Sequence, residues 1–171
     1  AAWSNSGFVQ RHTERRRELQ ESRITSKVLQ GDCRSIPLPD KSVHVVITSP
    51  PYFRLRDYKG DPSLWGRGTS FGWESCNHEE FSKGGYCLSC GVWKGCLGNE
   101  PSVGQYCSNL VECFKEVYRV LRDDGTLWLV IDDTNKEGEY LDVPSKVVES
   151  LHQFGWKRRV RFQWVKMNGL P

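Results

Sequence analysis

The sequence predicts an α/β domain on three observations: two short, continuous β-rich runs, two segments with helical apolar spacing, and the alternation of these along the chain. The first run, Val43, Val45, Val46 and Ile47, reads as a central strand covered on both faces. It stops against Ser49-Pro50-Pro51-Tyr52. Prolines lack an amide donor and fix φ, so the chain leaves the sheet in a stiff, extended turn. In open α/β sheets the carboxyl end of a strand is where ligands sit.

The other elements follow in order. SKVLQGD, residues 26–32, reads as a strand ending at Gly31-Asp32, and IPLPDKS is a proline-punctuated loop leading into the 43–48 strand. Residues 54–101 break the rhythm with glycines, tryptophans and clustered cysteines, and read as an inserted loop and subdomain. Tyr106, Leu110, Phe114, Val117 and Leu121 recur at spacings of three and four, which predicts an amphipathic helix ending at Asp123-Asp124-Gly125. TLWLVID, residues 126–132, is the second buried strand. Pro144 suits the start of a second helix, Val147, Val148 and Leu151 supply its apolar face, and Gly155 stops it. WKRRVRFQWVKM, residues 156–167, alternates as a final strand. Residues 1–25 are polar and charged and read as an arm flanking the core.

A chain of 171 residues with 37% hydrophobic residues can bury one core of ordinary size. No apolar stretch approaches the roughly 18 residues that span a bilayer, and the Arg-rich start does not read as a secretory signal. Seven cysteines, four of them within residues 76–96, suit metal ligation in a reducing compartment better than a disulfide framework. The expected location is therefore intracellular: cytoplasm or nucleoid in a prokaryote or phage, nucleus in a eukaryote. The net charge of +3 is uneven, because residues 156–171 carry Lys157, Arg158, Arg159, Arg161 and Lys166 with no acid. That basic stripe suits a phosphate backbone or, equally, a solvated strand face.

Cys76-x-His78 and Cys87-x-x-Cys90 are two close ligand pairs joined by a short glycine-containing loop. Two such pairs satisfy tetrahedral zinc, and four protein ligands leave no open position, so the expected ion is structural and staples residues 70–100. The one-residue gap before His78 is unusual and makes Cys96 a reserve ligand. The alternative is a cluster of free thiols beside an exposed histidine.

TSPPY at 48–52 behind a hydrophobic strand, QGDC upstream, VYRVLRDDGTLWLVIDD downstream and FQWVKMNGLP at the end together resemble the DNA amino-methyltransferases. The likeness covers residues 27–171, in the order of the group whose catalytic half precedes target recognition and the cofactor loop. CGVWKGCLGNEPS resembles a stretch common in a subset of them. The resemblance implies a Rossmann-like sheet, S-adenosylmethionine as methyl donor and double-stranded DNA as partner. It implies that the Ser49 side chain and the Pro50 carbonyl accept hydrogen bonds from the target amine, that Pro51 stiffens the turn, and that Tyr52 stacks on the flipped base. Asp32, Cys33 and Ser49 are carried over as cofactor-binding positions. The resemblance implies that Asp133, Trp164 and Lys166 line the base pocket, and the basic stripe is expected to place Arg159 and Arg161 toward DNA. Where relatives often have Gly-Asp-Ser, this chain has Asp132-Asp133-Thr134, which puts the role of Asp133 in doubt.

Serine in the first motif position favours cytosine N4 as the target, with adenine N6 the alternative. No Asp/Asn-Pro-Phe-x-Gly-x-Gly cofactor segment occurs in the 171 residues. The expectation is therefore a catalytic region completed by a further segment of the same gene or by a second copy. Two other readings compete with the DNA enzyme: a zinc-stapled remnant that binds DNA without reacting, and an enzyme that methylates an amine of protein or RNA.

Overall fold

The computed structural model describes residues 25–57, 59–66 and 73–165. The chain divides into two compact units, residues 1–30 and 31–171, and every element below belongs to the second. Its centre is a parallel pair, β1 (Val43–Thr48) with β4 (Leu121–Leu129), joined through helix α1 (Val103–Val120). Between β1 and α1 lies the insertion, with β2 (Ser63–Trp65) antiparallel to β3 (Trp93–Gly95). After β4 come a small hairpin, β5 (Asn135–Lys136) and β6 (Glu139–Tyr140), and helix α2 (Val143–Phe154). The hairpin turns on Glu137 and Gly138, both at positive φ, as a tight two-residue β-turn requires.

Helix α1 starts where Ser102, in extended conformation, accepts the Gln105 amide on its hydroxyl at 3.2 Å. Its apolar stripe buries Tyr106, Leu110, Phe114 and Val117, the face read from the sequence. These pack with Phe53 and with Val143, Val147 and Leu151 of α2, while Val46, Leu127 and Leu129 close the core from the sheet. Pro144 sits in the first turn of α2, and Gly155, at φ 128°, ends it by donating to Leu151 and His152 carbonyls. Arg119 holds the 36–42 loop against α1. It bonds the Ile36 and Leu38 carbonyls and the Asp40 carboxylate at 2.6–3.0 Å.

Four expectations are corrected. Asp123-Asp124-Gly125 does not end the helix as a loop; α1 runs directly into β4 at Leu121, and these three residues lie inside the strand. They bulge out of the ladder, since Val43 pairs with Leu121 but Val45 already pairs with Thr126. Second, among the described residues β1 is covered on one face only: Val45 and Ile47 are 49% and 75% exposed and Trp128 and Val130 about half exposed, because both helices lie on the opposite side. Third, residues 26–30 form no strand, with Val28 97% exposed. Fourth, residues 156–165 form none either, although Phe162 stacks on Trp128 of β4 at 5.8 Å between centroids. Neither segment finds a ladder partner among the described residues, and an unpaired strand has no means of satisfying its amides. The predicted arm, except Thr25, lies outside the described residues. Among the described residues no helix is long and apolar enough to cross a membrane.

Gly125 makes the bulge possible. A Cβ there would stand 2.6 Å from Leu121 Cδ2 and 3.0 Å from the His44 carbonyl. Gly125→Ala should lower stability by about 1–3 kcal/mol in urea unfolding, whereas Gly138→Ala, in open space, should lose less through φ strain alone.

Candidate functional site

The Ser49–Tyr52 turn sits at the carboxyl end of β1, where Val130 N donates to the Thr48 carbonyl at 2.9 Å and closes the sheet. The Ser49 hydroxyl lies 3.1 Å from the Tyr52 hydroxyl, so the two side chains face the same exposed side. Beneath them the turn is braced from α1. The Tyr106 ring is fully buried against Phe53, and its hydroxyl donates to the Pro51 carbonyl at 2.8 Å. The Pro50 carbonyl accepts no hydrogen bond among the described residues.

A second brace comes from residues that the sequence reading left unassigned. Gly98, at φ 95°, approaches so closely that a Cβ would stand 3.1 Å from Pro51 Cβ and from the Tyr52 carbonyl. Its own carbonyl accepts the Arg54 amide at 2.6 Å, and the Arg54 guanidinium bonds the Glu100 and Pro101 carbonyls. Glu100 is completely buried. One carboxylate oxygen accepts Gly98 N at 2.8 Å and the other accepts Asn109 Nδ2 at 3.0 Å, tying the loop under the turn to α1. Burial pushes the Glu100 carboxyl above its usual range, outweighing the two donors that favour its charge. The sequence signal was slight, since a glutamate between asparagine and proline reads as surface loop. Thr134 Oγ1 adds a bond to the Phe53 carbonyl from the far end of β4.

The Asp32 turn is a separate structure. The carboxylate grips Arg34 twice over, with Nη2 at 2.7 Å and the backbone amide at 2.9 Å, while Ser35 N donates to the Asp32 carbonyl. Arg34 in turn lies 4.3 Å over the Trp65 ring, bonds the Leu64 carbonyl and faces Glu112 of α1 at 3.8 Å. Cys33 places its sulfur 3.3 Å from that of Cys113. Asp133 is engaged as a helix cap: its carboxylate accepts the amides of Thr134, Asp142 and Val143 at 2.8–3.0 Å. Asp142, left-handed at φ 52°, gives α2 no side-chain cap of its own. Trp164 is 83% exposed, and Arg159 and Arg161 are exposed on an irregular segment. Lys166 lies outside the described residues.

The insertion brings Cys76, His78, Cys87 and Cys90 together, with all four ligand atoms within 4.8 Å of one another. Cys76 and Cys87 sulfurs are 3.6 Å apart, and Cys90 sulfur is 3.5 Å from His78 Nδ1. Tetrahedral zinc with ordinary bond lengths needs about 3.8 Å between sulfurs and about 3.6 Å from sulfur to nitrogen, so the donor set fits the ion. The hairpin supplies the geometry. Cys87 N bonds the Val92 carbonyl, Gly91 at φ 75° turns the chain, and Phe81 bridges to Cys87. The Cys90 amide and the His78 ring lower the Cys87 thiol to about 6, toward the thiolate that metal requires. Cys96 is not in the cluster; its thiol bonds the Gly60 carbonyl at 3.1 Å, which corrects its reading as a reserve ligand.

The Ser49–Tyr52 turn, at the end of the parallel strand β1, carries the motif on which the sequence resembles the amino-methyltransferases. A family model described as DNA methylase, of the N6/N4 methyltransferase group, matches residues 43–171. The chain belongs to the N4/N6 DNA amino-methyltransferase family. It is 31% identical over 157 residues to the type II methyltransferase M.SfiI of Streptomyces fimbriatus, covering 82% of this chain and 29% of that relative. It is 30% identical over 186 residues to the type II methyltransferase M.SmaI of Serratia marcescens, covering 90% of this chain and 52% of that one. The type II methyltransferase M.MwoI of Methanothermobacter wolfeii is 28% identical, over 86% of this chain and 18% of its own length. The chain thus spans about half or less of these relatives. No solved structure matches it significantly.

Glu100→Ala should cost about 2–5 kcal/mol in urea unfolding, because it strands the buried Gly98 and Asn109 donors. Since folding raises this carboxyl, its contribution to stability is fully present below the ordinary carboxylate range and is lost as pH rises through the shifted value. Glu100→Gln should remove that part of the pH dependence while keeping one acceptor.

Proposed function

We propose that this chain is the catalytic region of an S-adenosylmethionine-dependent DNA methyltransferase that acts on an exocyclic amine of a flipped base, with cytosine N4 the favoured target. The observation that carries the reading is the division of labour in the Ser49–Tyr52 turn. Tyr106 occupies the Pro51 carbonyl, which leaves the Ser49 hydroxyl and the Pro50 carbonyl to meet a ligand.

An aromatic exocyclic amine is a poor nucleophile, because its lone pair is delocalised into the ring. Two fixed acceptors on the amine hydrogens favour a more pyramidal nitrogen whose lone pair can attack. S-adenosylmethionine, when bound, supplies an electrophilic methyl on a sulfonium. The Ser49 hydroxyl, which donates to Tyr52, would accept from the amine on a lone pair, while the Pro50 carbonyl accepts the second hydrogen. The Tyr52 ring stacks on the extruded base. Since neither acceptor moves during the step, their dipoles are set before charge develops.

The residues present fit one side of the cofactor. Asp32 is half-exposed at 48% while Arg34 fixes its orientation, so it can accept from a ribose or an amine without rearranging. The fold around it is taken to be the Rossmann-like sheet of this class. The remaining grip on the methionine moiety is assigned to a segment outside these residues, which the greater length of the relatives allows.

Nucleoside mass spectrometry of plasmid DNA exposed to the full-length product tests the reading. N4-methylcytosine is expected; N6-methyladenine would move the target but keep the chemistry, and no modified base would overturn the enzyme reading. Ser49→Ala should slow single-turnover methyl transfer by about 2.7–4 kcal/mol of barrier, by analogy with loss of one oxyanion donor, with little change in DNA affinity.

We also assign Cys76, His78, Cys87 and Cys90 to a structural zinc ion. Methyl transfer from a sulfonium needs no Lewis acid, and four protein ligands leave no position for a substrate. Elemental analysis should find one zinc per chain. Cys90→Ser should release it and loosen the hairpin while the β1–β4 core stays folded, seen as fast amide exchange confined to the insertion.

A further inference from the structure

The geometry points to Cys33 and Cys113 as a peroxide-sensitive thiol pair that closes into a reversible disulfide, clamping the Asp32 turn onto α1. The two sulfurs stand 3.3 Å apart across 80 residues of sequence. A disulfide needs about 2.05 Å, so an approach of about 1.2 Å completes the bond. No assigned role uses this contact. Cys33 is carried over as a cofactor position by its place beside Asp32, not by its sulfur, and Cys113 packs with Trp65 and Trp93 and belongs to neither the Ser49–Tyr52 turn nor the Cys/His cluster.

The pair is asymmetric in the way such chemistry requires. Cys33 is exposed, whereas Cys113 is 6% exposed on the inner side of α1. The hydrogen-bonding contact with Cys113 lowers Cys33 to about 7, with the Arg34 guanidinium adding to the effect against burial and the Asp32 charge, which raise it. Sharing that proton with Cys33, and burial, push Cys113 upward. The outer sulfur is therefore the nucleophile and the inner one the resolving thiol.

The sequence of bonds balances with a hydroperoxide as oxidant. The Cys33 thiolate attacks one oxygen of hydrogen peroxide, the O–O bond breaks, and the departing hydroxide takes a proton to become water. Cys33 is left as a sulfenic acid. The Cys113 sulfur attacks it, the S–S bond forms, the S–O bond breaks, and a second water leaves with the Cys113 proton. Peroxide is reduced and both thiols are oxidised. A dithiol reductant reverses the bond by exchange.

Bond formation would shorten the only covalent path between the Asp32 turn and α1 from 80 residues to one bridge. Arg34 and Glu112 flank that bridge, so the Asp32–Arg34 pair must shift with it. The redox step itself does not depend on the methyl-transfer reading, and its test reads no methyl transfer.

The test is peptide mapping on the whole reduced chain after brief treatment with hydrogen peroxide and blocking with iodoacetamide. Trypsin with a glutamate-specific protease releases Cys33 in a peptide ending at Arg34 and Cys113 in residues 113–115. The expected product is these two peptides joined, lighter than their sum by two hydrogens and separated by dithiothreitol. Cys113→Ala should leave Cys33 as a sulfenic acid captured by dimedone, and Cys33→Ser should leave Cys113 unlabelled. Recovery of both peptides from the unsubstituted chain as carbamidomethyl thiols would overturn the pair. So would Cys33 oxidised to sulfinic acid with no joined peptide.

Discussion

The hydrogen bond from Tyr106 to the Pro51 carbonyl is the constraint on which the rest of the site depends. A turn built from two consecutive prolines has no amide donors to offer at those positions, so the surrounding fold can hold it only through its carbonyls and by packing. Tyr106 does both, with its ring against Phe53 and its hydroxyl on Pro51. Gly98 completes the grip from the other side, because only a residue without Cβ can approach Pro51 and Tyr52 at that distance in a left-handed conformation. The turn is thus braced without engaging the Pro50 carbonyl among the described residues.

Helix α1 carries this constraint to the remainder of the unit. Tyr106 and Asn109, in its first two turns, hold the acceptor turn and the Glu100 loop. Glu112 faces Arg34, and Glu116 accepts Ile36 N, so the following two turns hold the Asp32 segment. From Tyr106 to Glu116 is about 15 Å of helix rise. One rigid rod therefore sets the spacing between the Asp32 turn and the Ser49–Tyr52 turn. The arrangement costs a buried carboxyl, Glu100, whose desolvation is only partly compensated by the Gly98 and Asn109 donors.

What the sequence made legible follows from which interactions are local. The β-branched run of β1, the three-and-four spacing of α1, Pro144 and Gly155 around α2, and the paired metal ligands all announce themselves within a few residues. Their structures match those readings because the causes are equally local. The misread elements depend on partners far along the chain. Residues 26–30 and 156–165 have strand composition but find no ladder among the described residues, and the Asp-Asp-Gly bulge is decided by what faces it across β1. Glu100 and Asp133 are polar residues in polar surroundings by sequence. Gly98 donates to Glu100 from two residues away, but only the chain's return brings Asn109 to Glu100 and the start of α2 to Asp133.

The Cys/His hairpin can affect the Ser49–Tyr52 turn through the packing around it. Trp93 leaves the hairpin to pack with Trp65 and Cys113 of α1, and the Trp65 indole donates to the Gly95 carbonyl at 2.9 Å. Gly85 is pressed so closely against Trp93 that a Cβ would meet its indole nitrogen at 3.0 Å, so the ring has little freedom to move independently of the hairpin. Displacing the hairpin therefore displaces a wall of α1, and α1 is the element that holds Pro51. The insertion acts as a buttress, and its four ligands need only fix the fold of a short loop that has too few apolar residues to fix itself. The Cys/His hairpin and the Ser49–Tyr52 turn are then linked through packing, by way of α1 and by way of Gly98, which lies just after β3.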